Sequence, residues 1–192
     1  MRDPLTQALK EWAVVVDALA AGRQIVLLKK GGIAEETGTF EVAARDFVLF
    51  PTFEHQQPGS LIPEARAGLA GLAPPSPMDV TIHCVAEAAD TYPITTLDTA
   101  RALAPFHIWS EALVRQRFEQ GPAPGLTALV LRVSRLPSPV TLPARDAYRG
   151  CKSWVRLDTA ICTDQAVPVL SNEEFSQRRA TLRRALPTPQ QA

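Results

Sequence analysis

Three short segments with strand character follow one another closely in the first third of the sequence, and their spacing limits the folds open to this chain. Residues 24–29 are apolar and end at a Gly-Gly pair, and residues 39–42 and 46–51 follow, the last stopped by proline. A parallel neighbour would need a crossover of about a dozen residues or more, for which these segments leave no room. The pattern therefore predicts an α+β domain with a largely antiparallel sheet or partial barrel flanked by helices.

The remaining predicted elements are both helices and strands. An i, i+3, i+4 pattern of apolar residues predicts a first helix over residues 5–21, with Gly22 as its C-cap. Capping residues and amphipathic runs predict further helices over residues 63–72, 96–104, 110–120 and 172–186. Further strands are predicted over residues 79–89, 126–136 and 154–162, the second of them broken by the prolines that follow it.

Length and charge set additional bounds. With 192 residues and 46% hydrophobic content, the chain suits one domain over residues 1–192, in which residues 172–192 form a terminal helix and a short tail. The first hundred residues carry seven basic and thirteen acidic side chains, and the remainder carries thirteen and seven. This asymmetry fits a basic face turned toward an anionic partner, and it equally fits attraction between the two halves within the fold.

The cysteines and the N-terminal residues predict a cytoplasmic protein with reduced thiols. Cys84, Cys151 and Cys162 are odd in number and lack CxxC spacing, and the first residues are polar where a signal peptide would be apolar. No window approaches the roughly 18 uninterrupted apolar residues of a transmembrane helix. We therefore expect no membrane partner.

Motifs of common enzymes are missing from the sequence. Neither GxxxxGK(S/T) nor GxGxxG follows a strand, and the histidines form no HxH or HExxH pattern. The Asp/Glu-x-Lys element of restriction-type nucleases is missing as well, because the residues two places before the lysines are Ala8, Leu27, Leu28 and Gly150. We therefore expect a domain without cofactor or metal, and the balance favours a protein that is not an enzyme.

A hydrolase-type enzyme stays open as an alternative. Cys151 is its candidate nucleophile, because the neighbouring Lys152 and nearby amides would favour the thiolate. A partly buried structural cysteine at the start of a strand is the commoner situation for such a residue. A carboxylate-metal centre around Glu41, Glu54 and His55 is the second form of this alternative.

Basic and aromatic residues in the last third of the chain favour nucleic-acid binding, because guanidinium groups hold phosphates and aromatic faces stack on bases. Tyr148 and Trp154 are interleaved with the cations Arg132, Arg135, Arg145, Arg149, Lys152 and Arg156. We predict one binding site for DNA or RNA, lined by Lys29, Lys30, His55, Arg132, Tyr148, Lys152 and Trp154. The arginines of the terminal helix add phosphate contacts, form a solvated face or serve a protein partner.

Four blocks of the sequence resemble one family of uncharacterised bacterial proteins. The blocks are residues 9–19 (LKEWAVVVDAL), 22–33 (GRQIVLLKKGGI), 49–56 (LFPTFEHQ) and 148–157 (YRGCKSWVRL). On these blocks the chain resembles domain of unknown function 1802 over about residues 5–160. The family has no assigned activity. Some members resemble fusions to an Mrr-type restriction endonuclease domain, which implies a link to restriction-modification or defence by association.

A fainter similarity is to PUA-like barrels of the ASCH and EVE type, which bind RNA or modified bases. It rests on a Lys-Gly-rich turn after an early strand and on a strand, helix pair and strand over residues 80–133. Three hypotheses are therefore carried forward. The leading one is a non-catalytic nucleic-acid-binding domain, and the others are the hydrolase-type enzyme and a protein-interaction module that uses the terminal helix as a docking arm.

Overall fold

The computed structural model describes residues 3–30, 40–72, 76, 78–150 and 152–186. These residues form one open, mostly antiparallel sheet of seven strands flanked by five α-helices, which confirms the predicted α+β class. The strands are β1 (Leu5–Trp12), β2 (Val26–Lys29), β3 (Asp46–Thr52), β4 (Asp79–Ile94), β5 (Leu126–Pro143), β6 (Trp154–Ile161) and β7 (Val167–Pro168). The helices are α1 (Ala13–Ala20), α2 (Pro63–Ala70), α3 (Leu97–Ala102), α4 (Glu111–Glu119) and α5 (Asn172–Ala185).

The sheet runs in the order β2-β5-β4-β3-β1-β6, and β7 is added to the edge of β5. β1 and β3 are parallel, with Leu9 opposite Leu49. The other pairs are antiparallel. The chain between β1 and β3 contains α1 and β2, which supply the long connection that a parallel pair needs. β1 consequently lies inside the sheet, between β3 and the edge strand β6.

Both faces of the central strands are covered by apolar side chains. Leu9 and Leu49 belong to the larger core, on the same face as α1. Their chain neighbours Ala8 and Val48 point the other way, into a smaller core that includes Tyr148. Successive residues of a strand point to opposite faces. Each central strand therefore contributes side chains to two separate environments.

The prediction of one helix over residues 5–21 is wrong in its first half, because residues 5–12 form β1 and only α1 is helical. Ala8 and Leu9 are both fully buried, one on each face of the sheet. A strand buried on both faces loses the alternation of polar and apolar residues, so its pattern can match a helix period. The glycine predicted at the end of this helix does end it: Gly22 directly follows the C-cap Ala21, has a φ of +67° and donates its N–H to the carbonyl of Leu19.

Two strand predictions also need correction. Residues 40–42 have no regular structure, and residue 39 lies outside the described residues. β5 continues past Pro137 and Pro139, which were expected to end it. The β4–β5 register passes from Ile82 opposite Val140 to Cys84 opposite Arg135. The two prolines therefore fall in a part of β5 that β4 does not pair with, and a proline there removes no ladder hydrogen bond.

The helices from α2 onward agree with the predictions to within a few residues. Ser110 caps α4, and Ser171 and Glu174 form a capping box at the start of α5. α5 is fastened to β4 by Asp90, whose carboxylate accepts hydrogen bonds from Arg179 at 2.6 Å and Arg183 at 2.7 Å. Within the described ranges, no helix is both long and apolar enough to cross a membrane.

Candidate functional site

A pocket of about 470 Å³ lies where β3 ends and where the chain leaves β5. We call it the Tyr148 pocket. It combines aromatic side chains with charges of both signs. The residues that carry its chemistry are Lys10, Phe50, Phe53, Glu54, Asp79, Arg145, Tyr148 and Arg149.

The aromatic wall of the Tyr148 pocket is fixed by packing and by a hydrogen bond. The rings of Tyr148 and Phe50 meet edge to face with their centroids 5.6 Å apart. The Tyr148 hydroxyl accepts a hydrogen bond of 3.1 Å from the backbone N–H of Asp158, and only 5% of the residue is exposed. Tyr148 therefore gives the pocket its shape, while its hydroxyl holds β6 in place.

The cations of the Tyr148 pocket sit at its rim in loose pairings. Arg145 pairs with Asp158 at 2.7 Å and Arg149 pairs with Asp146 at 3.3 Å, and the two arginine side chains are 56% and 68% exposed. Exposed ion pairs of this kind contribute only about 0–1 kcal/mol. A phosphate can therefore replace the carboxylate at either guanidinium at little cost.

The turn that carries Glu54 is tied to the start of α1. The Thr52 hydroxyl donates to the carbonyl of Glu11 at 3.2 Å, and the Gln56 side-chain oxygen accepts from the N–H of Val14 at 3.1 Å. Between these ties, His55 adopts a φ of 62°, a conformation that residues other than glycine seldom use. The turn leaves Glu54 and His55 exposed.

A second group of charges, one buried and two partly buried, lies on the opposite face of β1. We call Glu11, Lys29 and Arg117 the charged cluster. The Lys29 ammonium lies 3.0 Å from a carboxylate oxygen of Glu11, and the two side chains are 11% and 4% exposed. Burial alone would raise the pKa of Glu11, but the nearby Lys29 and Arg117 charges and the Trp12 N–H together hold it below its ordinary value.

Arg117 completes the charged cluster between two indole rings. Its guanidinium carbon lies 5.4 Å from the centre of the Trp12 ring and 5.2 Å from that of Trp109. Both distances are within the range of cation–π attraction. Burial lowers the pKa of Arg117, and the charge of Glu11 opposes that shift. Glu11 therefore serves as counter-ion to two cations at once.

His107 borders the charged cluster and is held neutral. The backbone N–H of Trp109 donates to His107 Nδ1 at 3.2 Å, which assigns the ring proton to Nε2. Burial, with a smaller contribution from Arg117, lowers the pKa of His107 to about 4. Among the described residues, neither His107 Nε2 nor Trp109 Nε1 has a hydrogen-bond partner. His107 thus helps position the chain that enters α4.

The residues predicted to line one binding site are separated in the structure. Lys29 belongs to the charged cluster, and its ammonium lies 5.9 Å from the ring centre of Phe40. Trp154 packs on the same Phe40 ring, its centroid 6.0 Å away, and its Nε1–H donates to the carbonyl of Glu41. Lys29 and Trp154 are therefore brought together around Phe40, while Tyr148 lines the pocket on the other face of the sheet.

The other predicted ligand-binding residues lie at separate places. Lys30 donates to the carbonyls of Ala123 at 2.6 Å and Gly125 at 2.9 Å, which holds the loop before β5. Arg132 donates to the Asn172 side chain at 2.6 Å and lies over the Phe175 ring, at the start of α5. Lys152 is exposed, two residues after Gly150, whose carbonyl accepts a hydrogen bond from Lys10.

Only the metal form of the hydrolase alternative can be compared with the described part of the chain. Cys151 lies outside the described residues. Burial raises the pKa of the Cys84 thiol to about 11, which keeps it protonated and unreactive. Among the described residues, no group of three or more His, Cys, Asp or Glu side chains is placed to hold a metal ion.

Sequence reasoning did not single out Lys10, Glu11 and Arg117. The sequence predicts a helix over residues 5–21, and Lys10 and Glu11 are not part of its apolar pattern. Their signal is the alternation of side chains along β1, in which Lys10 lines the pocket and Glu11 enters the charged cluster. Arg117 carried no distinguishing pattern within α4.

The comparisons with known proteins place the chain in a family. The sequence model described as Domain of unknown function (DUF1802) matches residues 8–181. The chain belongs to the DUF1802 family. No curated protein matches this DUF1802 chain significantly in sequence.

Solved structures similar to this DUF1802 chain include ASCH proteins from Zymomonas mobilis. The ASCH structure is 14% identical, with a TM-score of 0.45, and the match covers 92% of this chain and 94% of that one. A mutant of the same protein is 13% identical at a TM-score of 0.45, covering 95% and 99%. A second mutant is 14% identical at a TM-score of 0.44, covering 92% and 96%.

Proposed function

We propose that this DUF1802 chain binds single-stranded nucleic acid at the Tyr148 pocket and does so without catalysis. The proposal rests mainly on one observation. Lys10, Arg145 and Arg149 line the same pocket of about 470 Å³ as several aromatic side chains. That volume lies within the roughly 300–1,000 Å³ usual for ligand sites. Single strands require cations for the backbone and an aromatic surface for the bases. Phe53, which is partly exposed, supplies that surface, whereas Phe50 and Tyr148 are buried and shape the wall behind it.

The positions of the charges support a phosphate backbone running along the rim. Arg145 and Arg149 project from the chain on either side of Tyr148, and both are more than half exposed. Their partners Asp158 and Asp146 are also exposed, so exchanging a carboxylate for a phosphate leaves no buried charge behind. Lys152 adds an exposed cation beyond Gly150.

A single strand fits this arrangement better than a duplex. The pocket is a local concavity lined by Phe50, Phe53 and Tyr148. Bases can enter such a concavity only when they are unstacked and turned outward, as in single strands and loops. A duplex can contact the rim of the pocket only through its phosphates.

The test is fluorescence anisotropy with labelled single-stranded DNA and RNA and with duplexes, at low salt. The double variant R145A/R149A should bind about tenfold more weakly, and its slope of log K against log salt should be shallower by about 1.4, the value for two lost phosphate contacts on a single strand. The matched control R101A/R115A removes two exposed, ion-paired arginines that do not line the pocket, and it should bind like the wild type. Absence of binding to every oligonucleotide at low salt would refute the proposal.

The remaining hypotheses stay predictions. A role in restriction-modification or defence, a hydrolase that uses Cys151, and a protein partner for α5 each need their own experiments. Alkylation of the thiols with no loss of any activity would remove the cysteine hydrolase. Recovery of a monomer without a partner would argue against the docking arm.

A further inference from the structure

We infer that the Tyr148 pocket selects bases that carry an exocyclic amino group, such as cytosine and adenine, over thymine and uracil. This inference rests on the proposed function and adds base selection to it. Two carboxylates, Glu54 and Asp79, line the same pocket as the aromatic wall. Carboxylates are unexpected in a pocket whose lysine and arginine side chains attract anions.

The two carboxylates differ from the acidic residues at the rim. Asp146 and Asp158 are engaged by the pocket's own arginines. Within the described part of the chain, the side chains of Glu54 and Asp79 make no ion pair, although cations line the same pocket. An ionised carboxylate only accepts hydrogen bonds. Glu54 and Asp79 therefore present acceptors to whatever enters.

Several other polar groups of the pocket wall have hydrogen-bond partners within the fold. The Tyr148 hydroxyl accepts from the N–H of Asp158, and the Thr52 hydroxyl donates to the carbonyl of Glu11. The Lys10 ammonium donates to the carbonyl of Gly150 at 2.8 Å. With Arg145 and Arg149 directed to phosphates, the carboxylates distinguish the bases, while the partly exposed Phe53 provides sequence-tolerant apolar surface.

Carboxylate acceptors favour some bases over others, because the bases differ in the group that they present. Cytosine presents its N4 amino group and adenine its N6 amino group as donors, whereas thymine and uracil present the O4 oxygen at the equivalent place. A carboxylate attracts the amino group and repels the oxygen. One such contact typically changes binding by about tenfold.

The experiment compares labelled oligo(dC), oligo(dA) and oligo(dT) of equal length by anisotropy at one low salt concentration. We expect oligo(dC) and oligo(dA) to bind about tenfold more tightly than oligo(dT). In E54Q the amide can donate to O4, so the difference should shrink to about threefold or less, and D79N should act in the same direction. E64Q, which alters an exposed glutamate of α2 outside the pocket, should keep the full preference.

The possible results of this experiment distinguish base selection from nucleic-acid binding itself. Equal binding of all three oligonucleotides, or tighter binding of oligo(dT), overturns base selection and leaves the proposed function standing. A preference that survives in both E54Q and D79N also overturns it, because the carboxylates would not be its source. No binding of any oligonucleotide removes the proposed function and the inference together. Thermal unfolding of each variant verifies that the fold is intact, as the exposure of Glu54 leads us to expect.

Discussion

The charged cluster and the Tyr148 pocket are built from the same kinds of residue and are suited to opposite tasks. In both, lysine and arginine lie beside aromatic rings and carboxylates. The side chains of Lys29 and Glu11 are 11% and 4% exposed, whereas those of Arg145 and Asp158 are 56% and 55% exposed. In the charged cluster, low exposure keeps the charges paired with each other. At the rim of the Tyr148 pocket, high exposure allows Arg145 to exchange its partner.

The difference follows from the cost of removing charge from water. A buried ion whose partner is deleted loses several kcal/mol, because neither water nor another group can replace the partner. An exposed ion turns to solvent or to a ligand at almost no cost. Residue type and aromatic neighbours alone therefore do not mark a binding site. The degree of burial of the counter-ion separates a structural cation from one available to a ligand.

The largest expected effect comes from breaking the charged cluster. The substitution E11Q removes the buried counter-ion of Lys29 and Arg117, which are themselves largely shielded from water, so the free energy of unfolding should fall by about 3 kcal/mol. Urea denaturation followed by circular dichroism measures the change. The control E119Q removes an exposed partner of Arg115 and should cost less than about 0.5 kcal/mol. If E11Q also costs so little, the cluster does not stabilise the fold as described.

A second effect should appear as a dependence of stability on pH. The pKa of His107 falls from 6.5 to about 4 on folding, so below pH 6.5 the unfolded chain binds a proton that the folded chain refuses. The free energy of unfolding should therefore decline between pH 6.5 and 4, by an amount on the order of 3 kcal/mol from this residue. Above pH 6.5 the contribution is fully retained.

Comparison of variants isolates the contribution of His107. Urea midpoints at several pH values should show a shallower decline in H107Q than in the wild type, whatever the absolute stability of the variant. H55Q changes an exposed histidine and should follow the wild-type curve. Parallel curves for H107Q and wild type would show that His107 is not held neutral by burial.

The smallest effect on stability is expected in the pocket, where it should be accompanied by a gain in binding. D158N removes the exposed partner of Arg145 and should change the free energy of unfolding by less than about 0.5 kcal/mol. Because the guanidinium then has no carboxylate to give up, affinity for single strands should rise about two- to threefold. Anisotropy at low salt tests this, with R145A/D158N as the control in which the gain disappears. A loss of affinity in D158N would mean that Asp158 orients Arg145 for its ligand.

Much of the architecture could be predicted because it depends on local signals. The caps at Ser110 and Ser171 and the glycine after α1 mark helix ends in the chain itself. β1 could not be recognised, because a strand buried on both faces has no polar side to show. The continuation of β5 through Pro137 and Pro139 depends on a register shift opposite them, which only the folded partner strand reveals.

The candidate site likewise has parts that the sequence predicts and parts that it does not. Tyr148, Arg145 and Arg149 are neighbours in sequence, so their meeting in one pocket follows from a single turn. The charged cluster joins Glu11, Lys29 and Arg117 from three different elements, and its assembly requires the register of β1. Lys30 and Arg132 resemble binding residues in sequence, but the backbone carbonyls and the side chains that hold them come from distant segments.

Lys10 and Glu11 are consecutive residues of one strand, yet the ammonium of the first lines the Tyr148 pocket and the carboxylate of the second enters the charged cluster. Strand geometry makes this division depend on register. A shift of β1 by one residue would send the carboxylate toward the rim of the Tyr148 pocket and the ammonium against two partly buried cations. Insertion or deletion of a single residue in the first half of β1 would thus exchange the two charges and damage stability and binding in one event. This part of the chain should accept substitutions far more readily than changes of length.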